Sequence, residues 1–181
     1  MFLTSWRFLT IMLTALTTGM AFCHLLEMPA RLTWNATLWV TTTVPGGLYR
    51  LFGTVGAVID VGSWLTAVIL VVLVRHRPAA FRWTLAGAGL LVTAHILWWL
   101  FVFPVNTEIA TWTIESVPAN WEQWRAQWEY THAIRAILQI LGVAALLWSA
   151  LLETVTSSSH RVTSGSGRKE GRGVEEAEVS V

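Results

Sequence analysis

Two pairs of residues in this sequence put an imidazole and a carboxylate one helical turn apart: His24-x-x-Glu27 and Glu129-x-x-His132. At that spacing both side chains lie on one face of a helix. They can then ligate a metal together or pass a proton between them. Two further ionisable residues stand alone in apolar surroundings, Asp60 in VGAVIDVGSW and His95 in TAHILWW. A longer pattern runs through WEQWRAQWEYTHAIRAILQ, where Trp121, Trp124, Trp128, His132, Arg135 and Gln139 recur at helical spacing.

Three arrangements fit these residue types. Di-iron four-helix proteins use a Glu-x-x-His on each of two helices and a carboxylate from each of the others. The match here is partial, because His24 precedes Glu27 and the third span offers His95 in place of a carboxylate. A mononuclear site of His24, His95 and His132 with Glu27 or Glu129 suits zinc, iron or copper. The third arrangement is free of metal: Arg135 is held by Glu27 or Asp60, and the imidazoles carry protons. The expected cofactor is accordingly none, or a single metal or haem.

The elements that must position these residues are apolar. Of 181 residues 54% are hydrophobic and 13% charged, about half the charged share of a soluble domain, and the mean hydropathy is +0.55. Four spans, at about residues 5–28, 51–74, 83–103 and 121–152, each reach the roughly 20 residues that cross a bilayer core. The expected fold is all-α, an integral membrane four-helix bundle running up-down-up-down over residues 1–153. The first span also fits a cleaved signal peptide, but its apolar stretch is long for one and no small-x-small site follows it. Cys23 is the only cysteine, so no disulfide forms within the chain.

Basic residues set the expected orientation. Arg75, Arg77 and Arg82 crowd the second connection, Arg161, Arg168, Lys169 and Arg172 lie in the tail, and Arg7 is near the start. The other two connections hold only Arg31, Arg50 and Arg125. Both termini are therefore expected in the cytoplasm and the protein in the cell or plasma membrane. Residues 154–181, rich in Ser, Gly, Arg and Glu, read as a disordered cytoplasmic tail that includes His160. The net charge of +1 offers no basic surface, so the expected partners are the lipid bilayer and a hydrophobic aromatic small molecule, not nucleic acid.

On this topology every candidate falls in the outer half of the membrane. His24 and Glu27 end the first span, and Glu129, His132 and Arg135 open the fourth. Asp60 and His95 lie roughly 12 Å below the outer boundary. Charges inside a bilayer are costly and normally face one another, so a shared outward-facing polar pocket is expected. A helix from Trp121 to Leu152 is roughly 48 Å long against about 30 Å of hydrocarbon, which puts its first turns outside. Pro104 is expected to close the third span, with Asn106 capping it or bonding the loop. Gly53, Gly56 and Gly87 are expected to allow close helix approach. His76 reads as a surface residue, and Asn35-Ala36-Thr37 fits a glycosylation acceptor.

GMAFCHLLEMPARL, FPVNTEIATW and NWEQWRAQWEYTHAIRAIL together resemble the small four-helix membrane proteins of the family that includes the fungal anthrone oxygenases. The resemblance covers most of residues 5 to 152, and is carried best by Pro104 and Asn106 and by Trp128, His132 and Arg135. The histidine–glutamate pair of the first span looks like a feature of bacterial-type members. The resemblance implies oxidation of a polycyclic anthrone to a quinone without a conventional cofactor. For such chemistry His95 or His132 serves as base, Glu27 or Asp60 orients it, and Arg135 stabilises an oxyanion. Trp121, Trp124, Trp128, Asn106 and Gln139 hold the flat substrate. Two other classes remain open: a haem-, metal- or quinone-binding electron-transfer protein, and a non-enzymatic membrane component with a structural ion-pair network.

Overall fold

In a computed structural model the protein is helical, with no strand among the described residues. Residues 1–43 and 49–153 are described with their side chains, and 154–178 only as helix backbone. The expectations for His160 and the tail lie outside the side chains described. The elements are α1 (Phe2–Arg31), α2 (Ala36–Thr43), α3 (Arg50–Gly53), α4 (Val55–Leu73), α5 (Pro78–Leu97), a π-helical turn (Trp98–Val102), α6 (Phe103–Ile109) and α7 (Trp121–Glu178). Four stretches are long and apolar enough to cross a bilayer: Phe2–Arg31, Arg50–Leu73, Pro78–Ile109 and Trp121–Glu153. That is the make-up of a multi-pass membrane protein.

The four long helices close a ring, α1 on α4, α4 on α5, α5 on α7 and α7 on α1. Small residues set the tightest seam. A Cβ on Gly87 of α5 would stand 3.0 Å from the Gly142 carbonyl oxygen of α7 and 3.0 Å from Leu146. Across the same seam the hydroxyls of Thr84 and Ser149 pair at 2.8 Å. On α1, Thr10 and Thr14 turn their hydroxyls back to the carbonyls four residues earlier, at 2.9 and 2.7 Å. Polar side chains thereby enter the bundle without leaving an unpaired donor. At one end of the bundle Glu153 accepts from both Arg7 (2.6 Å) and Arg77 (2.5 Å).

Four sequence expectations are corrected. The first span continues past residue 28 to Arg31 with Pro29 inside it; Pro29 removes one backbone donor in the last turn, and the burial of Arg31 holds that turn. The second span is not one helix but two, broken at Thr54 between α3 and α4. Gly53 beside the break has nothing within 4 Å of an added Cβ, so it serves no close approach; glycine weakens the helix there instead. Gly56 does pack closely: a Cβ added there would stand 3.0 Å from the Met20 sulfur. Finally, Pro104 does not close the third span. It sits in the first turn of α6, where a missing N–H costs least. The π turn before it leaves carbonyls for α7 to satisfy, and Gln127 Nε2 donates to the Phe101 oxygen at 2.9 Å.

The first connection contains α2, whose start is capped by Asn35: its Oδ1 accepts from the Leu38 N–H at 2.9 Å. His76 is exposed, as its place among arginines implied.

Candidate functional site

Asp60 on α4 is the centre of the polar layer. Its Oδ2 lies 2.8 Å from His95 Nδ1 on α5. Its Oδ1 accepts from Thr17 on α1 at 3.0 Å and from Gln139 Nε2 on α7 at 3.1 Å. Arg135 Nη2 stands 3.6 Å from the same oxygen. Thr17 of α1, His95 of α5 and both Gln139 and Arg135 of α7 thus reach a single carboxylate on α4, and of the layer expected from depth Asp60, His95 and Arg135 converge.

Arg135 is fixed by its Nε, which donates to the Ala94 carbonyl at 2.9 Å at the edge of the π turn. Its Nη1 and Nη2 make no hydrogen bond among the described residues. A guanidinium held by one edge with its other donors unspent is ready to bind an oxygen acceptor. His132 donates through Nδ1 to the Trp128 carbonyl at 3.0 Å. A carbonyl only accepts, so the His132 proton is on Nδ1 and Nε2 is a bare lone pair. The ring stacks on Trp128 at 4.1 Å and meets His24 edge-on at 4.6 Å.

These groups line a cavity of about 810 Å³, within the size of small-molecule sites. Asp60, His95, Arg135, Gln139 and His132 are in its wall, and so are His24, Asn106 and Trp128. Asn106 accepts from the Trp128 indole at 2.9 Å, which holds that ring upright in the wall. Apolar faces from Met20, Phe52, Ala57 and Trp98 complete the lining. Gln139 Oε1 and His24 Nδ1 are buried without a partner among the described residues. Each such group costs about 1–3 kcal/mol, so stability alone does not account for them.

A second polar cluster lies beside the cavity, and its hub is Arg31, a residue the sequence reading left among the connection charges. Arg31 is fully buried, 0% exposed, as is its partner Glu129. Nε and Nη2 donate to the two Glu129 oxygens, each at 2.8 Å. Nη2 also reaches the His24 carbonyl at 2.7 Å, and Nη1 reaches Glu27 (2.5 Å) and the Tyr49 hydroxyl (2.9 Å). The guanidinium lies over Trp128 at 5.2 Å. Trp39 adds a bond to Glu129 at 3.2 Å. Burial first, then the hydrogen bond to Glu27, pushes the Tyr49 hydroxyl up to about 12, so it keeps its proton and donates to Glu27 at 2.7 Å. The sequence signal for Arg31 was its place four residues after Glu27, an ion-pair spacing.

Several expected roles therefore move. Glu27 orients no histidine; it is held by Arg31 and Tyr49. Trp121 and Trp124 do not line the cavity but pack on a buried aromatic cluster around Trp39, Trp112 and Trp128. Arg125 covers Trp121 at 4.4 Å. The set proposed for a metal, His24, Glu27, His95, Glu129 and His132, is divided between the two clusters. Among the described residues no three His, Cys, Asp or Glu converge as ligands. The donor chemistry agrees: both carboxylates of the set are spent on Arg31. These residues do not fit a metal centre.

Thr17, Tyr49, Phe52, Trp98 and Trp99 join the cavity wall without having been foreseen. Comparison with known protein families, curated proteins and solved structures finds no match to the chain.

Proposed function

We propose that this multi-pass membrane protein binds a flat, hydrophobic phenolic or quinone-type molecule in its cavity and exchanges a proton with it. The reading follows the resemblance to anthrone oxygenases, and the basic residues support cytoplasmic termini. The observation that carries it is one wall of one cavity: the Asp60–His95 pair and the unspent Nη1 and Nη2 of Arg135 stand together among apolar and aromatic faces.

The chemistry runs as follows. An imidazole takes a proton from a methylene made acidic by its conjugation, through the flanking aromatic rings, to a ligand carbonyl across the central ring. Two imidazoles are in place, His95 with Asp60 behind its Nδ1 and His132 with a bare Nε2. The electrons move onto the carbonyl oxygen, and Arg135 donates to that oxyanion. The electron-rich enolate then reacts with dioxygen. One oxygen atom becomes the new carbonyl, and the other leaves as water with both methylene hydrogens. CH2 plus O2 gives C=O plus H2O, so dioxygen is the only oxidant needed.

Oxygen uptake by the purified protein with an anthrone tests this. A positioned base contributes about 100- to 10,000-fold to a proton transfer, so His95→Ala with His132→Ala is expected to remove turnover at least about 100-fold. Unchanged uptake in that double variant would end the reaction proposed. The Arg31 cluster supports a structural role for itself, since all its donors are engaged within the protein.

A further inference from the structure

Trp99 lies four residues after His95 and bonds to it: the indole Nε1 donates to His95 Nε2 at 3.0 Å. An indole N–H can only donate. His95 Nε2 is therefore the acceptor, its proton is on Nδ1, and Nδ1 donates to Asp60 at 2.8 Å. Both ring nitrogens are then spent. While the indole stays, His95 has no lone pair with which to take a proton.

The rest of the surroundings hold the imidazole and leave the indole free to move. Trp64 lies against the His95 ring at 5.4 Å, and Asp60 grips its far edge. Trp99, by contrast, is 51% exposed. Its ring neighbours are Trp98 and Phe103, each at 5.0 Å and on its own stretch of chain. It is carried by the π turn, a distortion often found at functional sites. Trp99 and Val61 on α4 both line the cavity and both are exposed, Trp99 bonded to His95 and Val61 next to Asp60 in the chain.

We propose that Trp99 is a positioning residue that keeps His95 closed: its indole occupies the imidazole lone pair until a hydrophobic ligand, entering from the bilayer between α4 and α5, turns it aside. The role in catalysis rests on the function proposed above; the closed state does not. The device makes the base available only when the cavity is filled. His132, a buried ring whose Nε2 has no hydrogen bond among the described residues, has no such control.

Carbethoxylation by diethyl pyrocarbonate tests the closed state, because the reagent needs a free imidazole lone pair. The full-length protein in detergent is treated, and modification at each histidine is followed by peptide mass spectrometry. Trp99→Phe keeps an aromatic ring at a half-exposed position while removing the N–H and the indole's second ring. His95 is expected to react about 10-fold faster in Trp99→Phe, the ratio for loss of one hydrogen bond of ordinary strength, with His132 unchanged. Equal rates at His95 in the two proteins overturn the proposal, and so does an increase shared by His132, which would report loosened packing. Turnover fails separately: fast modification in Trp99→Phe with no anthrone oxidation by either protein keeps the latch and ends the reaction.

Discussion

Arg31 spends every N–H it has on neighbours inside the protein, whereas Arg135 bonds one carbonyl through Nε, pairs with Asp60 at 3.6 Å and makes no hydrogen bond through Nη1 or Nη2 among the described residues. Two arginines in one bundle thus have opposite duties, and substitution separates them. Arg31→Met leaves Glu129 buried and unpaired, and loss of one partner of a buried pair costs about 3–5 kcal/mol. Its thermal unfolding midpoint in detergent is expected to fall far more than that of Arg135→Gln. A smaller fall in Arg31→Met would contradict the structural role. Tyr49 gives a second test at this scale. A hydroxyl raised to about 12 in the folded protein against about 10 unfolded stabilises the fold fully below pH about 10 and loses that contribution as pH rises toward 12. Tyrosinate absorbance in Tyr130→Phe, which leaves Tyr49 alone, is expected to titrate near 12, and Glu27→Gln to lower it. An unshifted titration would show that the hydroxyl does not bond Glu27.

At the scale of elements, the sequence made the spans legible because twenty apolar residues in a row have few alternatives to crossing a bilayer. Their interruptions were not legible. Pro104 reads as a helix stop, yet the π turn and the side chain of Gln127 supply what it withholds. The break at Thr54 lies inside a stretch apolar enough to pass for one helix. The α5–α7 seam gives a clean prediction. Gly87→Ala meets a backbone oxygen at 3.0 Å that cannot step aside, and overpacking of this kind costs about 1–3 kcal/mol. Gly89→Ala, with nothing within 4 Å, is expected to be neutral or slightly stabilising. Equal midpoints for the two variants would show that the helices do not approach this closely.

For the whole molecule, depth was the informative quantity. One ionisable residue on a helix says little, but Asp60, His95 and Arg135 at one level predicted their meeting, and they meet. The partners of Glu27 and Glu129 were hidden because Arg31 lies at the very end of a span, where a sequence reading assigns it to water. The tryptophan stripe divided for a similar reason: Trp128 reaches the cavity, while the turns before it are covered by the aromatic cluster built on α2 and α6. Orientation remains a prediction at this scale. In a Cys23→Ser background, a cysteine at His76 is expected to resist an impermeant maleimide on intact cells, and one at Glu115 to react. The reverse pattern would invert the protein in the membrane.

The central claim is that the cavity holds a flat hydrophobic molecule. The most direct measurement is equilibrium binding of an anthrone or related phenol to detergent-purified protein, followed by tryptophan quenching. Ala57 lines the cavity, and Ala86 lies on the outside of the bundle. Saturable binding that Ala57→Trp abolishes and Ala86→Trp preserves is the predicted result. Binding that is equal in both, or that rises without saturation as in simple partition, would contradict the account.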